Sequence, residues 1–239
     1  MKIRIVLAAL TASLATATAT PASATDAVTD AMLAAYAPYR AALFRTNSKA
    51  QAESEQAVAR ARQSWQSVVT QFASKPAPPY DRDAGFATTL EQVGAVYATA
   101  ESQIRDKQLE AAHETLERVR DLLADLRGRN GVVVYSDAMN AYHAEMEHVL
   151  SDGPKTIAAP QGPMLLMAPL GRLEYLSARL RSQAPTHVAQ DAEFAALVQA
   201  VDGSVRSLRA ATLTQDVQAI RQAIGALKGP YSKLFLKFG

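Results

Sequence analysis

Apolar residues recur three and four positions apart along almost the whole chain of 239 residues, and they rarely alternate with polar ones. Spacing of three and four places apolar side chains on one stripe of an α-helix, whereas a half-buried strand needs a period of two. Ala, Leu, Gln, Glu and Arg are abundant and lose little side-chain freedom on entering a helix. The expected fold class is therefore all-α, with about eight helices.

The punctuation between the periodic segments predicts where those helices begin and end. The first spans about Asp26 to Arg45, with a kink at Pro38. The second spans Ser48 to Ala73 and stops before the Pro-rich stretch KPAPPYD. The third runs from Asp83 to Asp106, and the fourth from Gln108 to Arg127, closed by the terminator Gly128-Arg129-Asn130-Gly131. The fifth is capped by Ser136 or Asp137 and ends at Ser151-Asp152-Gly153. The sixth starts near Pro163 and ends before Ala184-Pro185. The seventh starts near Asp191, and the eighth runs from Thr214 to Lys228 and stops at Gly229-Pro230.

An internal echo appears at an offset of 108 residues. Asp83-Ala84-x-Phe86-Ala87 recurs as Asp191-Ala192-x-Phe194-Ala195, and Val93 falls on Val201. Farther on, Leu109, Ala112, Leu116, Val119 and Leu123 fall on Val217, Ile220, Ile224, Leu227 and Tyr231. The expected organisation is two tandem, duplicated four-helix bundle units, residues 25–130 and 131–239, behind a leader of residues 1–24.

That leader reads as a secretory signal peptide. Lys2 and Arg4 form a basic start, Ile5 to Leu10 lead a short apolar stretch, and Ala22-Ser23-Ala24 is a cleavage site of the A-x-A type. The apolar stretch is too short and too interrupted by Thr to span a bilayer. No Cys follows it, which excludes a lipid-anchored lipoprotein. The expectation is export to the periplasm with cleavage after Ala24. The chain has no cysteine at all, which excludes disulfides, thiolate metal sites, c-type haem attachment and thiol nucleophiles. Without Lys2 and Arg4 the chain keeps 25 − 2 = 23 basic side chains against 23 acidic ones. No basic stripe points to nucleic acid or to anionic lipid.

Two tandem four-helix units in an exported protein resemble the imelysin-type architecture, which includes periplasmic iron-uptake proteins. The resemblance rests on helix count and compartment. The G-x-H-x-x-E motif of that family is absent: Ala144, Glu145 and Met146 follow His143, and Glu114, Thr115 and Leu116 follow His113. No site residue is carried over from it.

The chemistry-bearing residues cluster in two expected helices. The chain has four histidines, and two of them stand in Tyr142-His143-Ala144-Glu145-Met146-Glu147-His148. On a helix, Met139, His143, Met146 and Glu147 share one face, while Tyr142, Glu145 and His148 share another. In the preceding helix, Glu110-x-x-His113 repeats the spacing of Glu145-x-x-His148, by which di-iron bundles present a carboxylate and an imidazole to one ion. Glu117 lies one turn beyond His113. Folding the two helices as an antiparallel hairpin brings His113 and Glu117 level with Glu147 and His148.

The candidate ligands of a single metal ion are therefore His113, Glu117, His143, Met146, Glu147 and His148. Imidazole with carboxylate suits iron, zinc or manganese, and imidazole with thioether suits copper. The competing expectation is that these are ordinary wet helix faces, with the extended Val132-Val133-Val134 carrying the fifth helix away from His113. The C-terminal segment PYSKLFLKFG is expected to seal the second unit or to form an exposed docking patch. No Ser-His-Asp order or Gly-rich phosphate loop is present. The expected function is reversible metal binding in the periplasm, by a protein that is not an enzyme. The alternative is a metal-free helical adaptor for another envelope protein.

Overall fold

The computed structural model describes residues 26–239. The expected signal peptide and its cleavage site lie outside the described residues. The class is all-α. Among the described residues there are nine α-helices of nine residues or more, one single-turn α-helix and one 3-10 turn at Tyr80–Arg82, with no strand. The α-helices are α1 (Ala27–Asn47), α2 (Gln51–Phe72), α3 (Phe86–Arg105), α4 (Leu109–Arg129), α5 (Tyr135–Thr156), α6 (Gly162–Ser182), α7 (Thr186–Ala189), α8 (Ala192–Thr214), α9 (Val217–Gly225) and α10 (Lys228–Phe238). No helix among the described residues is long and apolar enough to cross a membrane.

Helices α1 to α4 close a ring: α1 packs on α2 and α4, and α3 packs on α2 and α4. A second ring follows, in which α5 packs on α6, α6 on α8, and α8 on α9 and α10, while α9 and α10 return to α5. Helix α10 also reaches across to α1. One continuous set of buried side chains runs through both rings. Three of its aromatic members satisfy their polar tips on backbone carbonyls. The Trp65 indole donates to Leu90 O at 2.9 Å, Tyr39 to Leu116 O at 3.1 Å, and Tyr231 to Met139 O at 3.1 Å.

Helix α4 runs two residues past the expected end, through Gly128 to Arg129, and closes at Asn130-Gly131. Gly131 takes φ +68°, and the Val132 amide donates back to Arg127 O across the helix end. Residues 132–134 then carry no regular secondary structure, with Val134 extended just before α5.

Three other expected boundaries move. The fifth helix is not capped by Ser136 or Asp137. It starts at Tyr135, and Asp137, three residues inside, accepts from the Val134 amide while also pairing with buried Arg127. The same helix runs past Gly153-Pro154 to Thr156. Gly153 stays helical because α9 presses on it: a Cβ there would meet Ile224 Cδ1 at 2.9 Å. Finally, Gly229-Pro230 does not stop the last helix. The break falls earlier, at Ala226–Leu227, and Pro230 sits in the first turn of α10, where backbone N–H groups have no helical partner anyway.

The C-terminal segment is accordingly a helix whose Tyr231, Leu234 and Phe235 are buried, so these three residues form no exposed patch. The segment around His187 is a helical turn, α7, with His187 itself exposed. At the offset of 108 residues the burial pattern repeats, but the helix geometry does not. Ala112, Leu116, Val119 and Leu123 are buried on unbroken α4; Ile220, Ile224, Leu227 and Tyr231 are buried across the break between α9 and α10.

The tightest backbone approach lies at the α5–α6 turn. A Cβ on Gly162 would collide with Thr156 O and stand 2.6 Å from Ile157 Cα. Backbone cannot give way as a flexible side chain can. Gly162→Ala is expected to destabilise the fold by about 3 kcal/mol, which lowers the melting temperature by about 6–12 °C in a chain of this size. A thermal melt followed by circular dichroism tests this, and an unchanged melting temperature would contradict the packing at that turn.

Candidate functional site

Four helices meet where the two rings join. Helix α4 turns His113, Glu117 and Arg120 to one face, at spacings of four and three. Helix α5 contributes His143, Met146 and Glu147, also on one face. The end of α1 adds Leu43, Phe44 and Asn47, and α10 adds Lys228, Tyr231 and Phe235. All of these residues but Glu147 line a cavity of about 40 Å³, which is room for about three water molecules. His113, Glu117, Asn47 and Lys228 also line a wider polar mouth of about 370 Å³, to which Lys49, Glu110, Glu114 and Glu147 contribute.

Glu117 is the hub. Its Oε1 lies 3.5 Å from His113 Nε2, 3.7 Å from His143 Nε2 and 2.9 Å from Arg120 Nη2. Glu147 Oε1 lies 3.5 Å from His143 Nε2 and 3.5 Å from Lys228 Nζ. Arg120 also donates through Nη1 to His143 Nδ1.

These partners assign opposite tautomers to the two rings. His113 Nδ1 faces Leu43 O at 3.2 Å and Thr46 Oγ1 at 3.3 Å. The Leu43 carbonyl can only accept, and the Thr46 hydroxyl spends its proton on carbonyls of its own helix, Ala42 O and Leu43 O. His113 Nδ1 therefore carries the hydrogen, and Nε2 presents a lone pair toward Glu117. His143 is the reverse. A guanidinium never accepts, so His143 Nδ1 is the acceptor for Arg120, and its Nε2–H points at the two carboxylates. Burial, Arg120, Lys228 and His113 together push the His143 ring down to about 2. Burial also lowers His113, against the opposing pull of Glu117. Both rings are neutral at neutral pH.

Of the residues expected from the sequence, His113, Glu117, His143 and Glu147 come together. Met146 is fully buried and forms an apolar wall of the cavity. His148 does not join them: its side chain is 49% exposed and pairs with Asp152 at 3.2 Å, one turn along the outer face of α5. The Glu-x-x-His spacing is not what pairs the groups. Glu145 turns to Arg172 of α6, and each ring instead faces the carboxylate four residues after it.

Two residues of the site escaped sequence reasoning. Arg120 had a visible signal, since it is a charged residue on the same stripe as Leu116, Val119 and Leu123. Lys228 had none, because the break that aims α10 at this junction is tertiary. Among the described residues, no three His, Asp or Glu side chains are arranged to hold a metal ion as they stand. Arg120 pairs with Glu117 and Lys228 with Glu147 at this junction. No family model, curated protein or solved structure matches the chain.

The His143 environment has a pH consequence. Above its ordinary pKa of about 6.5 the ring is neutral both folded and unfolded, and nothing is lost. Below it, the unfolded chain takes up a proton that the folded chain refuses, so stability falls as pH drops from about 6.5 toward 2. At pH 5 the loss amounts to about 2 kcal/mol. Urea denaturation at pH 7.5 and pH 5.0 is expected to show a smaller acid loss for His143→Gln than for the wild type. Equal losses would place His143 in a wetter setting than this one.

Proposed function

We propose that the protein is a periplasmic carrier that reversibly binds one divalent metal ion at the junction of the two rings. In this reading His113 Nε2, Glu117 and Glu147 are the protein ligands, and His143 orients the two carboxylates through its Nε2–H. The observation that carries it is the lone pair of His113 Nε2 facing a carboxylate oxygen 3.5 Å away. Two electron-rich atoms at that distance repel each other unless a cation or a hydrogen-bond donor lies between them. The back side of the ring is held as metal-bound histidines usually are, with the distal N–H on a backbone carbonyl.

Imidazole with two carboxylates favours iron(II), zinc(II) or manganese(II). Copper(I) would instead draw on the Met146 thioether in the cavity wall. Binding is coordination alone, with no substrate turned over. The placement in the periplasm rests on the leader sequence.

The test is a competition titration of the untagged mature chain with Zn(II), Fe(II) and Cu(I). One equivalent is expected to bind in the wild type, with a loss of at least about 100-fold in His113→Ala. His143→Gln should keep the ion with about 10–100-fold weaker affinity, the usual effect of losing an outer hydrogen bond. Wild-type binding no tighter than micromolar for every metal would sink the proposal.

A second reading, a helical adaptor for another envelope protein, draws on the outer face of α6. Met164, Leu165 and Tyr175 are exposed there by 70%, 55% and 63%, and exposed apolar side chains along one helix suit a protein interface.

A further inference from the structure

Four of the seven large apolar side chains that stand exposed among the described residues gather at one end of the second ring. Met164 and Leu165 lie in the first turn of α6, Leu213 is the last residue but one of α8, and Val217 opens α9. Ser177 and Arg181 of α6 both reach Asp202 of α8, and Glu174 reaches Arg209. These pairs run the two helices antiparallel, which brings the end of α8 level with the start of α6. Tyr135 and Glu145 of α5 meet Leu180 and Arg172 of α6 in the same sense, so the α5–α6 turn belongs to this end as well. No charged side chain stands between Lys155 and Arg172, and Ala158, Ala159 and Pro160 are exposed there.

The backbone of this turn is closed in a way that suits a medium without water. Ile157, Ala158, Ala159 and Gly162 donate to the carbonyls of Gly153, Lys155, Thr156 and Ala159, and Pro160 and Pro163 have no N–H to satisfy. A turn that faces only water can leave its donors to solvent, whereas apolar lipid penalises every open backbone group. The patch is also too small for a second protein. A stable protein interface buries about 800 Å² on each partner, from about 20–30 residues a side. Four large apolar side chains and a short turn do not reach that size, and the turn offers no charge to orient a partner.

We infer that this end of the second ring is a lipid-contacting tip, which inserts Met164, Leu165 and Leu213 shallowly into the boundary between headgroups and acyl chains of a bilayer. The helices themselves stay outside, since none of those described is long and apolar enough to cross. Attraction comes from removing apolar surface from water and needs no anionic lipid. A few shallow side chains give weak, reversible attachment, as a single acyl chain does. Tyr175 stands more than two turns farther along α6 and takes no part. This tip is separate from the junction of the two rings and does not rest on metal binding there.

Flotation of residues 25–239, which carry every described helix, with phosphatidylcholine vesicles tests this. The wild type is expected to float with the vesicles both at low salt and in about 0.5 M NaCl, which screens surface charge. Adding phosphatidylglycerol to the vesicles should change the bound fraction by less than about twofold. Met164→Glu/Leu165→Glu is expected to lower that fraction by at least about tenfold, and Leu213→Glu alone to lower it as well, while Tyr175→Glu leaves it unchanged. All four positions are exposed, so melts followed by circular dichroism should match the wild type. Absence of wild-type flotation, flotation that survives Met164→Glu/Leu165→Glu, or flotation that requires phosphatidylglycerol overturns the inference. A wild type that sediments as a dimer and does not float, and that the double substitution makes monomeric, overturns it in favour of contact between two copies at this tip.

Discussion

Arg120 places a permanent positive charge among the aromatic rings where the two helical rings meet, and the arrangement around it follows from satisfying that charge. An isolated guanidinium in such surroundings would be prohibitively expensive. It is tolerated because Glu117 accepts from one nitrogen, His143 accepts from another, and the Phe235 face lies beneath. The requirement reaches across helices. Arg120 and Glu117 stand on α4, His143 on α5 and Phe235 on α10, so the charge can be solvated by protein only when three helices are docked. Removing one partner of such a group typically costs about 3–5 kcal/mol. Arg120 thus ties the register of α4 to that of α5 more firmly than apolar packing alone, which tolerates slippage between similar side chains.

The same guanidinium divides the labour between two histidines that look alike in sequence. By donating to His143 Nδ1 it forces that ring to carry its proton toward the carboxylates. The Leu43 carbonyl makes the opposite demand on His113. One ring becomes a donor that steers carboxylates, and the other a lone pair that a cation can use. Glu117 serves both rings and the arginine, so one carboxylate links the two His–Glu pairs. The adjoining apolar wall of Leu43, Phe44, Met146 and Phe235 limits water on one side. The carboxylate-rich mouth offers a polar approach on the other.

Much of the fold could be read from spacing. The helical class and the turn at residues 128–131 rest on local periodicity and turn chemistry, whereas the expected antiparallel hairpin of α4 and α5 does not form: the two helices belong to different rings and meet only through side chains at the junction. The misses have a common origin. Asp137 looked like a cap because its residue type suits that position, but Arg127 and the Val134 amide hold it inside the helix. Gly153 and Gly229-Pro230 looked like stops because of their local preferences. Gly153 remains helical because Ile224 packs against it, and Pro230 because the break falls two residues before α10. His148 looked like a ligand because it shares a sequence neighbourhood with His143. A shift of five residues on a helix turns a side chain well away from the first face, and the second ring of helices covers only one of the two faces.

The sequence by itself determined that this chain is all-helical, cysteine-free and built from amphipathic segments, because those properties depend on residue type and on spacing within a few positions. It also placed His113, Glu117, His143 and Glu147 among the residues to watch. Only the tertiary structure decided that Glu117 stands between the two histidines with Arg120 bridging it to His143, which proton each ring carries, and that Lys228 lies at the mouth. Those outcomes depend on contacts between α4, α5, α1 and α10, whose residues are separated by tens to nearly two hundred positions. A hydrogen bond to a ring nitrogen acts over about 3 Å in space, and no periodicity along the chain encodes which distant helix will supply it.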